Sequence, residues 1–332
     1  VSDLRAPFPW FGGKRKVAGE VWAALGDVDN YVEPFAGSLA VLLGRPSHHT
    51  GRAETVNDAD RFVANFWRAL AADPEGVARH ADWPVNEADL EARHLWLVTS
   101  GADRVASMGA DPEWFDVRVA GWWVWGICSW IGGGWCSGVG PWVKGDDGAV
   151  VNRSVVGDDR PGVSHKRTHL GNTGQGINRS DGDTLGNLAD LAGRLRKVRV
   201  CCGDWSRVVT DGATNYGTTV GVFLDPPYLG DVRDGDLYAT DDHTIAHDVR
   251  EWALAHGDDP RYRIVLAGYD IEHDHLMPET WRRIRWTAGP SYSTRSSAAR
   301  QDGNHANRSR EVLWCSPHCL NPESITDLFP SD

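Results

Sequence analysis

Apolar and polar positions along this chain follow two kinds of pattern. Near both ends, short apolar runs are bounded by turn residues. Val220-Gly221-Val222-Phe223-Leu224 has the length and composition of a buried strand. Tyr31-Val32-Glu33-Pro34-Phe35-Ala36-Gly37-Ser38 reads as a strand running into a glycine turn, and an apolar segment follows at 39–43. Glu54-Thr55-Val56-Asn57 and Val198-Arg199-Val200-Cys201-Cys202 read as two more strands. Between these runs the period changes. Residues 62–70 are amphipathic at helical spacing, and 75–100 also read as helical. Residues 121–131 predict a buried helix that Gly132-Gly133-Gly134-Trp135 breaks. From 139 to 183 the chain is rich in Gly, Asp, Arg, Asn and Ser and has little periodicity. A loop of that length inside a domain is usually functional or mobile. The pattern predicts an α/β chain. Residues 1–70 and 195–332 would form its sheet domain, with an insert of helices and loop at 71–194.

The candidate chemistry sits where the strands end. Asp225-Pro226-Pro227-Tyr228 follows the run 220–224, and ligands of open α/β sheets bind at the carboxyl ends of strands. This grouping suits methylation of an exocyclic amino group on a base. Such a nitrogen is a poor nucleophile because its lone pair is delocalised into the ring. The Asp225 carboxylate can accept one N–H and a prolyl carbonyl, that of Pro226, the other. The freed lone pair can then attack a sulfonium methyl. Two prolines fix the backbone and aim both acceptors in advance, and Tyr228 offers a face for a flipped base. The bland alternative is a strand-end turn with Asp225 as its Asx residue.

Other strand ends add to the set. Gly37 lets backbone approach a ligand closely, and Asp58 follows at about the 20-residue spacing that places an acid on ribose hydroxyls. That pair fits a dinucleotide or S-adenosylmethionine equally, although no full G-x-G-x-x-G is present. Pro7-Phe8-Pro9-Trp10-Phe11-Gly12-Gly13-Lys14 is not a Walker loop, since Phe8 stands where a glycine is required and Arg15 where Ser or Thr is. Gly203-Asp204-Trp205 ends the strand 198–202 with an acid and an aromatic, which can hydrogen-bond and stack on a purine.

With these motifs in this order, the chain resembles the Dam-like adenine-specific DNA N6-methyltransferases, and among them the phage and prophage adenine methylases. The resemblance implies a Rossmann-like S-adenosylmethionine-dependent fold whose insert is the target-recognition region. It implies that Trp10, Lys14, Glu33, Pro34, Phe35, Gly37, Asp58, Asp204 and Trp205 line the cofactor pocket. Asp58 would hold the ribose, and Asp204 and Trp205 the adenine. Asp225, Pro226, Pro227 and Tyr228 would be catalytic. By the same resemblance, 265–270 and 310–314 are strands that complete the sheet. The family often has a second glycine where this chain has Leu39.

Composition changes the picture in two respects. The net charge is −12 over 332 residues, so a partner as acidic as double-stranded DNA requires locally concentrated positive charge. The insert supplies side chains of the types that read base edges and phosphates: Lys166, Arg167, His169, Asn172, Gln175 and Arg179, with Trp135 as an aromatic candidate. The six cysteines lack paired zinc spacing, and no metal is expected. No apolar run reaches membrane-spanning length and no leader pattern is seen, so a cytoplasmic enzyme is expected. The alternatives are an RNA or N4-cytosine methyltransferase, or an inactive nucleic-acid-binding relative.

Overall fold

A computed structural model describes residues 4–10, 12–51, 53–109, 113–130, 135–136, 142–144, 150–152, 183–227, 239–286 and 311–321. In chain order its principal elements are α1 (Ala18–Leu25), β1 (Asn30–Glu33), α2 (Ala40–Leu43), β2 (Ala53–Asp58), α3 (Arg61–Ala72), α4 (Pro74–Ala81), α5 (Glu87–Trp96), α6 (Ala102–Ala106) and α7 (Val117–Ser129). They continue with β3 (Trp142–Lys144), β4 (Val150–Asn152), α8 (Thr184–Leu195), β5 (Val198–Cys202), α9 (Asp211–Thr214), β6 (Val220–Leu224), α10 (Ala239–His256), β7 (Tyr262–Tyr269), α11 (Asp270–His273), β8 (Arg282–Arg285) and β9 (Glu311–Cys315). The chain divides into two compact units. One holds 1–2, 12–57 and 204–332, the other 3–11 and 58–203.

The first unit is built on a mostly parallel sheet. Among the described residues, its strands run in the order β2-β1-β6-β7-β9-β8. Strands β2, β1, β6 and β7 run parallel. β9 is antiparallel to β7, and β8 to β9. Every residue of β6 and β9 is buried, as expected of strands covered on both faces. The helix α1 packs on β6 and β7, and α10 on β7. β8 has a different character. Its Arg282-Arg283-Ile284-Arg285 reads in the sequence as a basic cluster, yet it pairs with β9 through all four residues at the end of the strand order. Charged side chains on an edge strand discourage pairing with another chain, which explains why its sequence hides it.

The second unit is mainly helical. α3, α4, α7 and α8 pack on one another. Asp60, Asp73, Asp116 and Asp183 cap the N-termini of α3, α4, α7 and α8 through their side chains. Buried Asn65 ties α3 to the start of α7: its amide donates to the Asp116 carbonyl at 3.0 Å and accepts from the Asp116 N–H at 3.0 Å. Phe8 makes edge-on contacts with Phe66 and Trp123, at 5.3 and 5.1 Å between centroids. These contacts, with the packing of β5 on α3, explain why 3–11, 58–70 and 195–203 join this unit, whereas the sequence pattern drew the insert at 71–194. The expected helix 75–100 is broken at 82–86 into α4 and α5. Within the segment expected to lack periodicity, β3 and β4 pair as antiparallel strands.

Candidate active site

In the first unit β1 lies between β2 and β6. The chain leaves β1 toward β2 on one side and returns as β6 on the other, which is a topological switch point. Ligands of such sheets bind outside the carboxyl ends of the strands there. Glu33 closes β1 and Asp225 follows β6 directly. Because β9 runs antiparallel, its first residue, Glu311, faces Tyr269 at the end of β7. The topology thus collects three carboxyl groups at one edge of the sheet.

Lys14 supplies the cation. Its ammonium lies 2.9 Å from Asp225 Oδ1 and 4.0 Å from Glu311 Oε2, and it donates to the Gly12 carbonyl at 2.8 Å. The Trp286 ring centroid is 5.9 Å away. The Lys14 side chain is only 4 % exposed, against 19 % for Asp225. A buried ammonium is costly unless paired, so this cluster fixes Lys14 and Asp225 together. Glu33 accepts from the Tyr31 hydroxyl at 2.9 Å and from the Leu42 N–H at 3.2 Å. Burial, aided by the nearby Asp225 and Glu54 charges, pushes Glu33 up to about 8 against those two hydrogen bonds. At neutral pH it therefore carries a proton, and Lys14 stands between the carboxyl groups of Asp225 and Glu311. Glu311 escaped the sequence reading because it looks like the start of an ordinary strand; only an antiparallel β9 brings it here.

The turn after β1 is tightly held. The Asn57 side-chain amide donates to the Pro34 carbonyl at 3.0 Å, and the Ala36 N–H donates to the Asn57 carbonyl at 2.8 Å. Gly37 has φ 45°, and Leu39 has φ 54°, in the left-handed region that favours glycine. A leucine persists there with its side chain fully buried. The Phe35 and Trp205 rings face each other nearly parallel, 6.2 Å apart and tilted by 28°. The Asp204 carboxylate caps the turn that follows it, accepting from the Ser206 N–H at 2.9 Å and from the Ser206 hydroxyl. Pro226 is buried and Pro227 exposed.

Trp10 and Asp58 belong to the second unit. Trp10 is half-buried, 5.8 Å from Phe8 and 6.4 Å from Trp123. Asp58 accepts from the Asp60 N–H at 2.8 Å. Trp135 corrects an expectation. It is buried, its indole N–H donates to the Trp123 carbonyl at 3.0 Å, and its ring fills the space where Gly126 lacks a Cβ. It is a core residue of the helical unit rather than a surface for DNA. Tyr228, Lys166, Arg167, His169, Asn172, Gln175 and Arg179 lie outside the described residues.

Residues 10–90 match a family model described as D12 class N6 adenine-specific DNA methyltransferase. Over that segment the chain is similar to this family. The reaction named for that family is N6 methylation of adenine in DNA. No curated protein matches the chain. The matched segment holds Trp10, Lys14, Glu33, Pro34, Phe35, Gly37 and Asp58. Asp204 and Asp225 lie beyond it. Among the described residues, no helix is long and apolar enough to cross a membrane.

Proposed function

We propose that Asp225 and the Pro226 carbonyl activate the adenine amino group, with S-adenosylmethionine as methyl donor. The observation that supports this most is the buried Lys14–Asp225 pair at 2.9 Å, at the switch point of the sheet. Lys14 holds the carboxylate in place before substrate arrives, so no reorganisation is needed when the amine binds. Asp225 then accepts one amino N–H and the Pro226 carbonyl the other. The lone pair is drawn out of conjugation and becomes nucleophilic. The cofactor supplies an electrophilic methyl group on a sulfonium sulfur. With the cofactor bound, the N–CH₃ bond would form as the S–CH₃ bond breaks, leaving a neutral thioether; Asp225 would stabilise the positive charge on the amine until its surplus proton passes to solvent. Phe35 and Trp205 offer parallel faces for the cofactor adenine, and Asp204 an acceptor. Asp58 holds ribose hydroxyls, and Gly37 lets the turn approach the methionine part. Double-stranded DNA is the substrate, with the base taken out of the stack and its site read by the insert around 165–179.

Calorimetry with S-adenosylhomocysteine tests the cofactor assignment. Wild type is expected to bind it, and Trp205→Ala and Asp58→Ala each to bind it more weakly, by about 1–3 kcal/mol. Binding of a nicotinamide dinucleotide in its place would overturn the assignment.

A further inference from the structure

The helical unit contains a cavity of about 450 Å³ on which the proposed reaction makes no call. Its size falls within the range of small-molecule sites. It is lined by Arg79, His80, Trp83, Arg93, Trp96 and Trp122, with Asp89 its one acid among the described residues. Arg93 dominates it. The guanidinium carbon stands 4.3 Å from the Trp125 ring centroid, 5.1 Å from Trp83 and 5.2 Å from Trp122. The residue is only 8 % exposed, and its Nη1 has no hydrogen-bond acceptor among the described residues. A desolvated charged donor without an acceptor is costly, and a ligand oxyanion would remove that cost.

The surroundings point to the same ligand. Arg118, outside the lining, adds a cation over two of its indoles, 4.5 Å from the Trp96 ring and 5.6 Å from Trp122. The one acid is already engaged: Asp89 accepts from the Trp83 indole N–H at 2.6 Å and from the Asn86 amide at 2.6 Å. Trp83 is 44 % exposed, so one indole remains open to solvent at the cavity. Cations for an oxyanion and flat indoles for a planar ring are the two components of a nucleotide site. On a chain of net charge −12, this is also a local concentration of positive charge of the kind that an acidic polymer requires.

We infer that this cavity takes one nucleotide unit, its phosphate on Arg93 and Arg79 and its base against Trp83 and Trp122. Resting on the reading of DNA as substrate, the source is a nucleotide of the DNA strand rather than a free mononucleotide. This cavity is then a second DNA contact, besides the one proposed for residues 165–179.

The test uses the full-length protein with three probes: a mixed-sequence DNA duplex, deoxyadenosine 5′-monophosphate and deoxyadenosine. Binding is read by tryptophan fluorescence and equilibrium dialysis over a range of salt. Arg93→Gln is the direct variant, but it opens an aromatic cluster and can unfold the unit. Arg79→Ala and Trp83→Ala, at exposed positions, keep the inference testable. Each is expected to weaken DNA binding about tenfold, and Arg79→Ala to lower the salt slope by about one. Trp83→Phe should restore most of the loss. The monophosphate should bind more tightly than the nucleoside and be displaced by DNA. Unchanged DNA affinity and salt slope in both variants, with wild type binding and methylating DNA, would overturn this site and leave the activity standing. A wild type that binds no DNA, with the monophosphate still held by Arg79 and Trp83, would overturn the DNA source and the substrate reading while supporting the nucleotide chemistry. Monophosphate bound but not displaced by DNA would overturn the DNA source alone.

Discussion

Replacing Asp225 separates the chemistry of the site from its packing. Asp225→Ala removes the acceptor proposed for the adenine amine, and losing one preorganised group of this kind costs about 10²–10³ in turnover, or about 2.7–4 kcal/mol of barrier. It also removes the partner at 2.9 Å from a Lys14 side chain that is 4 % exposed, leaving Glu311 at 4.0 Å as the nearest carboxylate among the described residues. An underpaired buried cation costs about 2–3 kcal/mol of folding stability. Asp225→Asn keeps the shape and a carbonyl oxygen for Lys14 but no charge. Neutral hydrogen bonds are about half as strong as charge-assisted ones, so Asn should recover most of the stability and little of the activity. Single-turnover methyl transfer at saturating cofactor and DNA gives the first quantity, and urea unfolding with S-adenosylhomocysteine titration the second. Folded Asp225→Ala protein that binds the cofactor product and turns over within threefold of wild type would refute the mechanism. Equal loss of stability in Ala and Asn would refute the role given to Lys14.

Three further outcomes follow from the same geometry. Leu39 has a left-handed backbone and a fully buried side chain, so truncation to Ala should cost about 3–5 kcal/mol. Leu39→Gly should be about 1 kcal/mol more stable than Leu39→Ala, which denaturant melts would show; Ala above Gly would contradict the strain argument. Glu33 is raised from 4.5 to about 8 in the folded chain. The folded state therefore holds a proton that the unfolded state releases, and stability present below pH 4.5 is lost as pH rises through about 8. Glu33→Gln should flatten that slope in urea midpoints measured across pH, and an unchanged slope would place the proton elsewhere. Phe35→Ala should weaken S-adenosylhomocysteine binding and leave DNA binding in the absence of cofactor unchanged, measured by calorimetry and by anisotropy of labelled DNA; the reverse split would remove Phe35 from the cofactor site.

Buried strands were legible because a parallel strand covered on both faces must be apolar throughout, as Val220–Leu224 is. The position of Asp225 at a strand end was legible for a related reason, since it follows that buried run directly. Charged edge strands escaped. Three arginines in four residues mask β8, whose pairing with β9 is a property of the sheet and not of its own pattern. Glu311 escaped because nothing local says that β9 runs antiparallel and so begins where β6 ends. Trp135 misled for the opposite reason. Its neighbouring glycines made it a candidate for contact with DNA, whereas it packs against Gly126, where a Cβ would leave no space for its ring. The helix α8 also went unmarked, although Leu188, Leu191, Ala192 and Leu195 keep helical spacing and Asp183 caps it.

The most direct test of the whole account is the identity of the methylated nucleoside. The protein is incubated with methyl-labelled S-adenosylmethionine and separate pools of duplex DNA and RNA, each is digested to nucleosides, and the label is located by mass spectrometry. The account predicts label in N6-methyldeoxyadenosine from the DNA pool, lost with Asp225→Ala. Label confined to RNA or to N4-methylcytosine, or no transfer by folded protein that still binds DNA, would contradict it.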